Sequence, residues 1–306
     1  MPPFLENLAQ RAPFLEFPLR LAWRFVERWN ADNCALVAAA LAFFGLLSVF
    51  PLALAGVAVL ARFLSGNAAA MHDFSAFAAS FFPGASGAGV AATIENAFHA
   101  IASGPNPTTT GLVAFGSLLW SGRAYFDTLA TVLNRIFPGA APRSFLQHQL
   151  VLWSLILGSG ALFVLSSGVT LALSLAQTLA RRIPGLFINR APLFWDWGGK
   201  TAALALTFAM FTLLYRFTPN RQTPPRRRPV LIGALVGTLG WELAKWGFAR
   251  FVGNVTRYEA TYGSIAGVVV TMTWIYFASM IVLAGAQAGA TWEELAPRAE
   301  PGAKKS

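Results

Sequence analysis

Six stretches of this chain are long enough and apolar enough to cross a lipid bilayer, which leaves few folds open. A helix rises 1.5 Å per residue, so about 20 apolar residues match a hydrocarbon layer about 30 Å thick. The stretches lie near 33–61, 111–137, 150–179, 195–217, 230–252 and 264–290. Backbone amides in hydrocarbon must be satisfied within their own segment, which dictates helices. The prediction is an all-α integral membrane protein built as a six-transmembrane-helix bundle.

Only 12% of the 306 residues are charged, against roughly 25% in soluble domains. Little sequence remains between the runs for a second domain. The expected organisation is a cytoplasmic N-terminal segment at 1–32, a membrane domain at 33–290 and a cytoplasmic tail at 291–306. The first apolar run follows some thirty residues with charges throughout and exceeds a signal h-region, so no cleavable signal peptide is expected. Cys34 is the only cysteine, which excludes an internal disulfide. The net charge of +10 is expected to face anionic headgroups rather than nucleic acid, since no basic stretch is interleaved with exposed aromatics on a soluble module.

Residues 14–30 are amphipathic. Glu16, Arg20, Arg24 and Arg28 recur every fourth position and share a face with Glu27, opposite Leu21, Ala22, Phe25, Val26 and Trp29. Two roles fit: a helix in the cytoplasmic interface with its arginines on headgroups, or a helix packed on the base of the bundle. Pro51 falls inside the first span and predicts a kink there, because proline frees a backbone carbonyl. Between spans one and two, Phe74, Phe77, Phe81 and Phe82, then Ile94, Phe98 and Ile101, predict short amphipathic helices over 64–110. Small residues recur at Gly233/Gly237, Gly263/Gly267 and Gly285/Gly289, the spacing that lets membrane helices approach closely.

Basic residues set the orientation. With the N-terminus inside, the cytoplasmic segments hold fourteen Lys and Arg and the opposite side seven. That bias predicts both termini in the cytoplasm.

Charges within the spans are the strongest functional signal, since each costs several kcal/mol in hydrocarbon unless paired or wetted. Arg123 and Asp127 form an i,i+4 pair in the second span; Glu242 and Lys245 form an i,i+3 pair in the fifth, flanked by Trp241 and Trp246. The two spans run in opposite directions, which places both pairs in the middle to outer part of the bilayer. They either line a polar substrate path or neutralise themselves and pin the helices. Asn134, Gln287 and Ser264, with Thr271 and Thr273, would extend such a path or bond helix to helix.

No HExxH, GxSxG or GxxxxGK[ST] motif occurs, and His72, His99 and His148 lack ligand spacing. The thirteen acids lie mostly in connectors and tails. Neither an enzyme nor a metal or other cofactor is expected.

Several stretches together resemble the YihY/BrkB family of bacterial inner-membrane proteins. They are Ala38-Ala39-Ala40-Leu41-Ala42-Phe43-Phe44 continuing to Ser48-Val49-Phe50-Pro51, and Trp120-Ser121-Gly122-Arg123 with Leu133-Asn134-Arg135. Tyr215-Arg216 with Pro219-Asn220, then Gly233, Trp241-Glu242 and Lys245, match the centre of the pattern. Tyr262-Gly263-Ser264, Trp274-Ile275-Tyr276 and Leu283-Ala284-Gly285-Ala286 match its last span. The family usually has tyrosines where Phe43 and Phe44 stand, and Glu at Gln287. The resemblance implies a six-span bundle in the inner membrane, and makes Arg123, Glu242 and Lys245 part of a family pattern. Members were once labelled a transfer-RNA-processing ribonuclease; others are proposed exporters of lipid-like envelope components.

The leading expectation is an inner-membrane transporter or flippase-like permease for an amphipathic, anionic envelope substrate. Arg123 and Lys245 would attract the anion, while Asp127 and Glu242 would hold those cations in the empty site. The alternative is a non-transporting scaffold for envelope integrity, with ribonuclease activity a third and weaker reading. The expected partners are membrane lipids, with anionic headgroups at the cytoplasmic face, and a lipid-like substrate.

Overall fold

The computed structural model describes residues 13–63, 92, 95, 96, 107–137, 139, 144–158, 192–220, 227–253 and 265–296. Within them lie seven helices: α1 (Pro13–Ala31), α2 (Cys34–Phe63), α3 (Pro107–Ile136), α4 (Phe145–Gly158), α5 (Pro192–Phe217), α6 (Arg227–Gly253) and α7 (Ile265–Leu295). The described fold is all-helical. Proline opens α1, α3 and α5, where its missing N–H costs nothing and its fixed φ suits the first turn. α1 ends at Asp32 and Asn33, whose amides donate to the carbonyls of Arg28 (2.9 Å) and Asn30 (3.1 Å). Asn33 adopts φ 51°, the left-handed conformation that asparagine tolerates better than most residues, so the chain turns there into α2.

The bounds of α2, α3, α5, α6 and α7 lie within a few residues of five of the apolar stretches. α2 runs as one helix through Pro51. α4 covers the start of the third predicted span; the rest of that span, Ser264 and the helices predicted over most of 64–110 lie outside the described residues. By length and composition, Val268–Leu295 is the one described helix apolar enough to cross a membrane alone; Phe145–Gly158 and Ala203–Phe217 are shorter apolar helices. α3 and α6 carry the charged pairs, which interrupt their apolar windows.

The chain divides into two compact units, Met1–Ala35 with Val132–Leu239 and Val282–Ser306, and Leu36–Thr131 with Gly240–Ile281. The first has a core of Leu133, Ile136, Phe137, Phe211, Tyr215 and Leu283, all buried. Tyr215 packs on Phe211 (ring centroids 5.8 Å apart) and Phe137 (6.2 Å), and its hydroxyl donates to the Val282 carbonyl at 2.8 Å. α6 and α7 pack here through glycine: a Cβ on Gly233 would lie 2.7 Å from the Gly285 carbonyl oxygen, and one on Gly289 2.7 Å from that of Pro229. A Cβ on Gly237 would meet the Phe211 ring at 3.0 Å. Gly233, Gly285 and Gly289 permit backbone approach, as small residues do between membrane helices, whereas Gly237 makes room for a ring. Of the three predicted glycine pairs, 233/237 and 285/289 pack closely, while Gly263 lies outside the described residues.

In the second unit Trp274 of α7 packs on Trp241 (5.5 Å) and Phe248 (4.6 Å) of α6. Gly45 of α2 fits against Ile275 and Tyr125. Leu112, Val113, Trp120, Leu243, Trp246 and Phe277 are exposed, alongside the charged Arg123, Lys245 and Arg250. So many large apolar side chains in the open suit helices that face hydrocarbon.

Candidate functional site

Glu242 and Lys245 sit one turn apart on α6, and the Lys245 Nζ lies 2.7 Å from Glu242 Oε1. Helical spacing brings them together, and the pair spares each the cost of a lone charge. The contact is not sealed: the side chains retain 44% and 37% of their exposure. On α3, Arg123 is exposed and Asp127 half-buried. All four sequence-predicted charges belong to the second unit.

Next to the ion pair on α6 opens an apolar cavity of about 300 Å³, lined by Ala244, Gly247 and Phe248 of α6 and by Trp274 and Phe277 of α7. The described lining contains no charged residue. Arg250, in the last turn of α6, holds its guanidinium carbon 4.7 Å from the Trp246 ring centre, a cation–π arrangement.

The polar residues expected to extend a path have other engagements in the first unit. Asn134 Oδ1 accepts the Asn220 amide at 2.7 Å, holding the segment that follows α5. Gln287 is fully buried, and its Nε2 donates to Asp32 Oδ2 at 2.5 Å and to Cys34 Sγ at 3.5 Å. Its Oε1 is buried without a hydrogen-bond partner. In the second unit Thr273 donates to the Val269 carbonyl of its own helix at 2.8 Å.

Sequence reasoning missed the ionic cluster of the first unit. Arg24 donates to Glu294 Oε1 through Nη2 (2.6 Å) and Nε (3.1 Å), and to Glu27 through Nη1 (2.7 Å). Arg28 reaches Glu294 Oε2 at 2.9 Å and the Ile136 carbonyl, at the end of α3, at 2.6 Å. Arg135 lies 3.6 Å from Asp32. The hydrogen bonds to Glu294, then Glu27, hold the Arg24 proton more tightly than usual. Phe17 meets Trp292 edge-on at 5.0 Å. Of the two roles open to the amphipathic helix, packing is the one these contacts embody, whereas Arg20 pairs only locally with Glu16 (2.6 Å). The regular arginine spacing identified the face; nothing in it identified a partner 270 residues away. Among the described residues no three of His, Cys, Asp and Glu converge to hold a metal ion.

Residues 25–306 match the family model for virulence factor BrkB. The chain belongs to the BrkB family. It is also similar to UPF0761 membrane proteins of Xanthomonas oryzae pv. oryzae (strain PXO99A), Xanthomonas axonopodis pv. citri (strain 306) and Xanthomonas campestris pv. campestris (strain B100), 30% identical to each over 285 residues. Each match covers 92% of this chain and 61–62% of the relative, so the chain spans about three-fifths of those proteins' length. No solved structure matches it. With the apolar α7 and the large apolar side chains exposed on the second unit, family membership makes this a membrane protein of the BrkB family.

Proposed function

We propose that this BrkB-family chain is a transporter or flippase-like permease, which moves an amphipathic, anionic envelope substrate across the inner membrane. The reading takes six spans with both termini cytoplasmic, and assigns the chain no catalysis. The observation that carries it is the Glu242–Lys245 pair: 2.7 Å apart on a helix whose other charges, Arg227, Arg228 and Arg250, lie in its end turns, yet more than a third exposed. Charges kept only to lock a bundle are best sealed, because desolvated partners hold each other most strongly. A pair that stays accessible can exchange partners. An anionic headgroup would take Lys245 from Glu242, and Glu242 would reclaim it after release; Arg123 and Asp127 would serve α3 in the same way.

The scaffold reading keeps one supporting observation: Lys245 is paired within its own helix, which by itself neutralises the charge. The charge-free double variant Glu242→Gln/Lys245→Met separates the two readings. Reconstituted into vesicles, the wild type is expected to move fluorescent phosphatidylglycerol between leaflets, as read by dithionite quenching. The double variant is expected to accumulate normally and lose that transfer. A double variant that transfers lipid as fast as wild type would overturn the role of the pair. Loss of the protein from the membrane, rescued by restoring either charge pair in swapped order, would favour the scaffold.

A further inference from the structure

Gly247 stands in the last third of α6, and a Cβ built on it meets no described residue within 4 Å. That separates it from Gly233, Gly237 and Gly240, each of which has a neighbour that a side chain would meet. Glycine costs a helix interior about 1 kcal/mol relative to alanine. In membrane helices the cost is repaid by close helix approach. At Gly247 no described residue comes that close; beside it is the 300 Å³ cavity whose other described walls are Ala244, Phe248, Trp274 and Phe277. By volume the cavity has room for on the order of ten waters, but each water needs two to four polar partners, and the described side chains of these walls offer at most the one N–H of Trp274.

We propose that this cavity is a seat for one acyl chain of an anionic lipid, kept open by Gly247, with its headgroup met by Arg250. The inference deepens the transport reading and rests on it for the substrate's amphipathic character. Charge complementarity names the occupant. Arg250 follows Gly247 by three residues, one turn further toward the end of the same helix. Arg250 sits in the last turn, where an upright lipid chain in the slot brings its phosphate, and guanidinium is the group that meets phosphate with a planar fork of N–H donors. Hydrocarbon is no more at home in the slot than in the bilayer, so the chain gains only packing there. Selectivity therefore comes from the headgroup, at about 1 kcal/mol per basic residue, or about fivefold.

The test uses the whole chain in phosphatidylcholine vesicles doped with lipid that carries a photoreactive acyl chain, either phosphatidylglycerol or phosphatidylcholine. Labelled peptides are mapped by mass spectrometry. The expected result is labelling centred on residues 244–248 and 274–277, with the anionic lipid favoured about fivefold. Gly247→Phe should abolish it, and Arg250→Gln should equalise the two lipids. Ala244→Phe fills the same slot from the neighbouring turn, and Gly116→Phe adds the same bulk at a glycine that is open but remote in sequence, on α3. Retained labelling in both slot-filling variants, or equal labelling by the two lipids in wild type, would mean ordinary boundary lipid only and overturn the seat. If Gly247→Phe proves unstable, Ala244→Phe decides alone. The binding readout is independent of transport: slot labelling without leaflet transfer leaves the seat standing and removes the transporter, and transfer without slot labelling does the reverse.

Discussion

Gly285→Ala tests the packing of α6 on α7 most directly. A methyl at this position would collide with the Tyr215 hydroxyl and lie 2.8 Å from the Gly233 carbonyl oxygen. Both obstacles are stiff. The tyrosine is fully buried and tied to the Val282 carbonyl at 2.8 Å, and the Gly233 oxygen is helix backbone. Forcing an added carbon into such a site costs about 1–3 kcal/mol. Displacing the tyrosine forfeits a hydrogen bond worth about 0.6 kcal/mol on average inside membranes. Against this, alanine recovers about 1 kcal/mol of helix propensity. The net expectation is a loss of about 1–2 kcal/mol. Unfolding in mixed micelles, followed by tryptophan fluorescence, measures it. Gly122→Ala is the internal control, because its Cβ meets nothing within 4 Å, and it should be neutral or gain up to about 1 kcal/mol. Adding Tyr215→Phe to Gly285→Ala removes one obstacle and leaves the other, so it should recover part of the loss and depart from additivity. If Gly285→Ala is as stable as Gly122→Ala, the close approach of the two helices at this glycine is refuted.

Three further substitutions probe the first unit. Glu294→Gln removes the carboxylate shared by Arg24 and Arg28; because those groups are partly exposed, the expected loss is about 1 kcal/mol at low salt and less at high salt, read from melting curves at both. An equal loss at both salt concentrations would contradict an ionic role. Gln287→Leu leaves Asp32 without its amide donor and should cost about 1–3 kcal/mol in the same assay, whereas no change would mean that the hydrogen bond contributes nothing. Asn134→Leu removes the acceptor of the Asn220 amide, so hydrogen exchange should quicken over 218–220 and stay unchanged in α7.

Much of this architecture was legible from spacing alone. The boundaries of α2, α3, α5, α6 and α7 lie within a few residues of the apolar runs, because hydropathy and helical rise are properties of one segment. The Glu242–Lys245 contact was legible for the same reason, since i,i+3 positions on a helix are neighbours whatever surrounds them. Glycine spacing marked Gly233, Gly237, Gly285 and Gly289 as packing positions without saying what each would meet. Gly247 carried no signal at all: a glycine that faces open space looks, in sequence, like one that faces a helix.

The six apolar runs are a local property, and they sufficed to predict an α-helical membrane chain with charged pairs on two of its helices. Partner choice is not local. That Arg24 and Arg28 close on Glu294, that Asp32 meets both Arg135 and Gln287, and that Asn134 serves the segment after α5 all depend on which helix ends assemble together. Carboxylates and guanidinium groups attract one another without regard to sequence position, so only the tertiary structure selects among the pairings that composition allows. The same holds for the apolar slot at Gly247, which exists only because α7 brings Trp274 and Phe277 beside this stretch of α6.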